Sequence, residues 1–121
     1  MTTMDWSPKR VLVTGGAGFV GSNLIEYFFK KTKFKIISID NYYSGYKKNH
    51  IINQRIKYFK GDTRNISKIL KKYNNKIHSL FHFGEFSRIF QSFGKLEDCI
   101  NSNLIGSISV FKYCLSHNIK L

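Results

Sequence analysis

Three glycines, Gly15, Gly18 and Gly21, stand three residues apart in the stretch Val13-Thr14-Gly15-Gly16-Ala17-Gly18-Phe19-Val20-Gly21. That spacing suits the junction where a strand turns sharply into a helix. The first glycine permits the tight turn. The second lets the backbone approach a pyrophosphate with no Cβ in the way, and the third lets helix and strand pack closely. The helix N-terminus then presents free N–H groups and a positive dipole end to the phosphates. Asp40 closes the next apolar run. A carboxylate there accepts hydrogen bonds from adenosine ribose hydroxyls and repels a 2′-phosphate. No arginine adjoins Asp40, so the pattern points to NAD over NADP. Asp62 ends a further run and reads either as a turn aspartate or as a contact to the adenine.

The elements that must hold these groups follow from hydrophobic patterning. Arg10 to Thr14 (RVLVT) is a continuous apolar strand of the buried, parallel type. Phe19 to Thr32 reads as a helix with Val20, Leu24, Tyr27 and Phe28 on one face. Lys35 to Ile39 is a second strand, and a polar loop rich in Tyr, Asn and Gly runs from Asn41 to about His50. Ile56 to Lys60 is a third strand, after which Asn65 is placed to cap a short helix through Tyr73. Ser79 to Phe83 is a fourth strand. Leu96 to His117 is a long helix with Ile100, Leu104, Ile108, Phe111 and Leu115 at helical spacing. The order β-α-β-β-α-β-α predicts an α/β fold, a Rossmann-type doubly wound parallel sheet that stops after the fourth strand and its following helix.

The 121 residues suffice for one domain, 1–121, and are too few for two. With 42% hydrophobic and 16% aromatic residues a packed core is expected. No apolar run reaches the length of about 18 residues that a membrane helix needs. The first ten residues include Asp5 and Trp6 and have no apolar signal core, so a cytoplasmic protein is expected. Cys99 and Cys114 fall in one predicted helix, about 22 Å apart along its axis, which is too far for a disulfide. Neither sits in a metal-binding cluster, and no metal is expected. The net charge of +13 raises nucleic-acid binding. Only Arg10, Arg55, Arg64 and Arg88 among the 20 basic residues are arginines, however. A surface that reads phosphates favours Arg forks. The lysines are dispersed in pairs, and their excess, with that of Ile and Asn, suits an AT-rich genome. No nucleic-acid partner is expected.

The segments Gly-Gly-Ala-Gly-Phe-Val-Gly-Ser-Asn, Ile-Asp-Asn, Lys-Gly-Asp-Thr and Phe-His-Phe-Gly-Glu agree in order and distance with one family. The chain resembles the extended short-chain dehydrogenase/reductases, and within them the NAD-dependent nucleotide-sugar epimerases and dehydratases of the UDP-glucose 4-epimerase type. The resemblance runs from about Lys9 to the end. It implies that Gly15, Gly18, Phe19 and Val20 line the pyrophosphate, and that Asp40 and Asn41 surround the ribose. It also implies that Asp62 and Thr63 meet the adenine, and that Phe83 and Gly84 pass under the cofactor. Asn103 matches a helix asparagine near the cofactor. Ser87 would lie near the nicotinamide and the sugar. Gly84-Glu85 replaces the usual pair of small apolar residues, so Glu85 and Arg88 either address the substrate or pair with each other. His82, on the same strand, reads as a packed structural histidine. The resemblance further implies a nucleotide-sugar substrate for full-length members and a homodimer formed through the long helices.

Members of this family oxidise a sugar hydroxyl with a Tyr-x-x-x-Lys pair, the lysine lowering the tyrosine's pKa. The bare spacing occurs twice here, at Tyr27…Lys31 and Tyr43…Lys47. Both stand in the wrong places, Tyr27 on the first helix and Tyr43 in the loop after Asp40. No catalytic residue is assigned in this chain, which reads as the N-terminal, NAD-binding part of such an enzyme, inactive alone. A dehydratase or decarboxylase, or a non-catalytic NAD-binding module, are the alternatives.

Overall fold

The computed structural model describes residues 8–85 and 93–121. Its strands β1 (Arg10–Thr14), β2 (Lys35–Asp40), β3 (Ile56–Lys60) and β4 (Ser79–His82) pair in parallel in the order β3-β2-β1-β4. Leu12 stands opposite Ile37 on one side and Leu80 on the other. β1 is therefore central, and Val11, Leu12 and Val13 are buried to 2% exposure or less. Burial on both faces explains why RVLVT shows no polar alternation. The chain winds outward from β1 to β3 and then crosses to β4 on the other flank of β1. That reversal opens a crevice at the carboxyl ends of the strands.

Alternate residues of the strands feed two cores. Helix α1 (Phe19–Lys31) lays Ile25 and Phe28 on Val11, Val13, Ile36 and Ile56. On the opposite face Leu12, Ile37, Ile39 and Leu80 meet Ile66 and Leu70, with Val110, Tyr113 and Cys114 of a later helix. The packed face of α1 is thus Gly21, Ile25 and Phe28. Of the expected stripe only Phe28 is buried, while Val20 (55%) and Tyr27 (59%) face outward. Both stripes are apolar, and the closest approach of helix to glycine turn, at Gly21, selects between them.

The expected long C-terminal helix is interrupted. Helix α3 (Leu96–Ile100) passes through a π-helical stretch, Asn101–Gly106, into helix α4 (Ser107–Ser116). The wider turn rotates everything after it relative to a regular helix. The stripe Ile100, Leu104, Ile108, Phe111 and Leu115 faces outward, and Gly106, Ser107, Val110, Tyr113 and Cys114 pack inward. Gly106 fixes this choice, because a Cβ there would lie 2.4 Å from Thr63 Oγ1. Cys99 and Cys114 are both free thiols.

The short helix after β3 also differs from expectation. It breaks into a 3₁₀ turn at Thr63–Asn65, helix α2 (Ile66–Ile69) and a second 3₁₀ turn at Lys71–Tyr73. Asp62, not Asn65, caps the start by accepting from Arg64 N. β4 ends at His82, one residue earlier than expected. Its outer edge is partly paired, since Lys120 bridges Ser79 in parallel, with Leu80 N donating to Lys120 O at 2.8 Å. Among the described residues no helix is long and apolar enough to cross a membrane.

Candidate functional site

A cleft of about 1050 Å³ opens at the carboxyl ends of the strands, above the turn between β1 and α1. Gly15 makes that turn with φ +72°, a left-handed conformation that a side chain disfavours. A Cβ on Gly15 would also lie 2.6 Å from Phe83 O, so this residue lets β1 and β4 close on each other. A Cβ on Gly21 would strike Gly15 O at 2.2 Å, which is why α1 can start directly over the turn. Gly18 is the N-cap of α1. It provides no capping side chain, and the first turn contains no acid. The positive end of a 13-residue helix is therefore left for an anion arriving from the cleft.

Asp40 is 9% exposed at the end of β2. Its Oδ2 accepts from Ala17 N at 2.9 Å and its Oδ1 from Tyr42 N at 2.7 Å. Each oxygen keeps further acceptor capacity, and Asp40 lines the cleft beside Asn41 and Ala17. The loop after Asp40 is braced from several directions. Tyr46 N and Asn49 Nδ2 both donate to Ala17 O. Tyr42, held at φ +61°, pairs its hydroxyl with His50 Nε2 at 2.7 Å. The His50 ring stacks on Tyr58 at 3.8 Å. Burial and then Lys47 lower the His50 pKa, with Asp40 opposing them. Tyr43 lines the cleft on Asp40's side, as expected from its place in the loop. Tyr27 is largely exposed on α1 rather than packed on the sheet.

On the β3 side, Thr63 is buried and lines the cleft with Asp62. Arg64 grips Asp62 through Nε to Oδ1 (3.1 Å) and Nη2 to Oδ2 (3.0 Å). Burial works to raise the Asp62 pKa, but the Arg64 bonds and charge outweigh it and hold the carboxyl below its usual value. Asp62 is thus both a cap and an ion-pair member, and it also lines the cleft.

The other wall hangs on Thr14, a fully buried residue that the motif reading left without a role. Its Oγ1 accepts from Phe83 N and Gly84 N, both at 3.0 Å, and lies 2.7 Å from His82 Nδ1. With both lone pairs taken, the hydroxyl proton goes to Nδ1. His82 is therefore the Nε2–H tautomer, and that N–H donates to Ser107 Oγ at 3.0 Å. Burial lowers the His82 pKa against the raising influence of Glu85. His82 is structural, as its sequence context suggests. The outward sign of this network is a pair of polar residues, Thr14 and His82, each ending its strand.

Phe83, Gly84 and Glu85 all line the cleft. Glu85 Oε1 lies 3.8 Å from His82 Nε2 and its side chain is half exposed. Ser87 and Arg88 lie outside the described residues, so the Glu85–Arg88 pairing has no geometry here. The expected helix asparagine is displaced. Asn101 and Ser102 line the cleft, whereas Asn103 does not, its Nδ2 reaching Cys99 Sγ at 3.6 Å. Consecutive helical residues point to different sides, so a cleft that takes Asn101 and Ser102 leaves Asn103 turned toward Cys99. Among the described residues no group of three or more His, Cys, Asp or Glu is placed to hold a metal ion.

A family model described as "NAD dependent epimerase/dehydratase family" matches residues 11–121. A UDP-glucose 4-epimerase of Lactobacillus helveticus is 30% identical over 92% of the chain and 33% of its own length. A dTDP-D-glucose 4,6-dehydratase of Dictyostelium discoideum is 29% identical over 93% of the chain and 27% of its own length. The structure of an epimerase from Methanothermobacter thermautotrophicus superposes with TM-score 0.84 at 29% identity. That match covers 94% of this chain and 34% of the other. The chain spans about a third of the length of the curated relatives it matches.

Proposed function

The chain belongs to the NAD dependent epimerase/dehydratase family, and from that premise we propose that its cleft is the NAD-binding part of a nucleotide-sugar epimerase. The observation that carries this reading is Asp40 locked beside the open N-terminus of α1. One acidic acceptor and one helix dipole stand together at the mouth of the cleft. In this reading Gly15, Gly18, Phe19 and Val20 hold the pyrophosphate. Asp40 and Asn41 take the adenosine ribose, Asp62 and Thr63 border the adenine, and Phe83 and Gly84 floor the nicotinamide end. Asn103, on the helical stretch that brings Asn101 and Ser102 to the cleft, stands near the cofactor in this reading. The residues fit the group, because the steric space at Gly18 is open: among the described residues a Cβ there meets Gly15 O alone, at 3.4 Å.

NAD bound there supplies the acceptor for hydride from a sugar carbon. What the chain's own residues do is bind, orient and exclude water. Tyr27, exposed on α1, and Tyr43, on Asp40's side of the cleft, are not assigned the removal of a sugar hydroxyl proton. A dehydratase is the second reading, favoured by the Dictyostelium discoideum relative. The outward stripe Leu104, Ile108, Phe111 and Leu115 supports a homodimer through α3 and α4, since contiguous exposed apolar surface marks an interface.

Calorimetric titration with NAD and NADP tests the reading. NAD binds saturably and NADP at least tenfold more weakly. Asp40→Ala weakens NAD by roughly tenfold or more, the worth of hydrogen bonds to a charged acceptor. Asp40→Asn, which keeps one acceptor for the loop, separates lost ribose contact from a loosened loop. A folded sample that binds neither nucleotide overturns the reading.

A further inference from the structure

Among the described residues, Glu85 is the carboxylate carried by the segment that follows β4, and it lines the cleft. In a doubly wound sheet a dinucleotide lies across the strand ends, with its adenosine half on the β2 side of the glycine turn. Asp40 and Asp62 mark that side here, so the nicotinamide half falls toward Phe83–Glu85. The nicotinamide ring carries a positive charge when oxidised and none when reduced. A fixed negative charge beside it therefore discriminates between the two redox states.

We propose that Glu85 sets the preference of this cleft for NAD⁺ over NADH. The inference rests on the reading of the cleft as an NAD site. Three features keep the charge effective. The nearest described titratable group, His82, is held as the neutral Nε2–H tautomer by Thr14 and Ser107, so it does not cancel Glu85. The lining cations Lys48 and Arg64 belong to the adenosine side, Arg64 already gripping Asp62. Asp98 of α3, a further described charge that lines the cleft, has the same sign as Glu85 and acts on Arg64. The side chain is half exposed, which weakens the field relative to a buried charge without removing it. Screened by solvent, a charge on this flank favours the oxidised ring by roughly three- to tenfold. Glu85 here has no contact with the reacting atoms and is a specificity residue, not a catalytic one.

The test is the ratio of dissociation constants for NADH and NAD⁺, measured on the folded 121-residue chain by calorimetry and by NADH fluorescence. Glu85→Gln keeps the volume and removes the charge, and Glu85→Ala controls for new hydrogen bonds from the amide. Both variants are checked by circular dichroism. The wild-type ratio exceeds those of both variants by about three- to tenfold, because NAD⁺ binding weakens while NADH binding holds or improves. Equal ratios in wild type and variants, with both nucleotides bound, overturn the proposal and leave the NAD reading intact. That is also the outcome if Arg88 neutralises Glu85. Wild-type protein that binds neither nucleotide overturns the NAD reading, and this inference with it.

Discussion

Replacing Thr14 by valine removes a single oxygen and leaves the shape of the side chain unchanged, so it isolates the polar joint between β1 and β4. That oxygen serves Phe83 N, Gly84 N and His82 Nδ1 in a fully buried position. Phe83 N keeps a second acceptor in Thr14 O at 3.1 Å. Gly84 N and His82 Nδ1 lose the partner that satisfies them. An orphaned buried group costs about 1–3 kcal/mol. Gly84 borders the cleft and gains water in compensation, so the expected loss is about 2–3 kcal/mol in all. No cavity adds to this, because valine fills the same volume. Thr14→Ser keeps the hydroxyl and sheds one methyl, and should lose about 1 kcal/mol or less. Urea unfolding followed by circular dichroism reads both variants, with the midpoint shifting at constant slope. A Thr14→Val midpoint within error of wild type, or a serine variant as damaged as the valine one, refutes the assignment of Thr14 as the joint.

Two further predictions concern groups whose environment is unusual. His82 is held below its ordinary pKa, so between the folded value and about 6.5 the unfolded chain binds more protons than the folded one. Stability is therefore full above about pH 6.5 and declines as pH falls below it. His82→Gln should flatten that acid slope in urea midpoints taken from pH 5 to 8, and an unchanged slope would assign it elsewhere. Tyr113 is 1% exposed and its hydroxyl finds no partner in the core. Tyr113→Phe should leave stability unchanged or raise it by up to about 1 kcal/mol, whereas a clear fall in melting temperature would reveal a partner for the hydroxyl.

The parts of the fold legible in the sequence were those fixed by local chemistry. RVLVT announces a strand buried on both faces, and Gly15 and Gly21 announce the turn, because the steric demands they meet lie within a few residues. Asp40 was legible for the same reason, as a strand-end carboxylate at a set distance from the turn. Helix faces were not legible where two stripes are both apolar. Ile100, Leu104 and Ile108 match a core-facing period as well as Val110, Tyr113 and Cys114 do. The choice rests on Gly106 meeting Thr63 and on Ser107 meeting His82, contacts between distant segments. The π-helical stretch Asn101–Gly106 has no signature in residue periodicity. Asp62 as a cap was within reach, since Asp-x-Arg is a plausible local pairing, but Asn65 competed for the same role.

The bracing of the loop after Asp40 bears on the thermodynamics of whatever enters the cleft. Ordering a residue's backbone costs about 1–2 kcal/mol of entropy. Here, between Tyr42 and His50, that cost falls on folding, through Ala17 O, the Asp40 carboxylate and the stacked His50 and Tyr58 rings. A ligand arriving at this wall meets surface already in place, so its binding entropy reports its own immobilisation and the water it releases. The heat-capacity change of binding then measures the area covered, without the excess that accompanies a segment folding around its ligand.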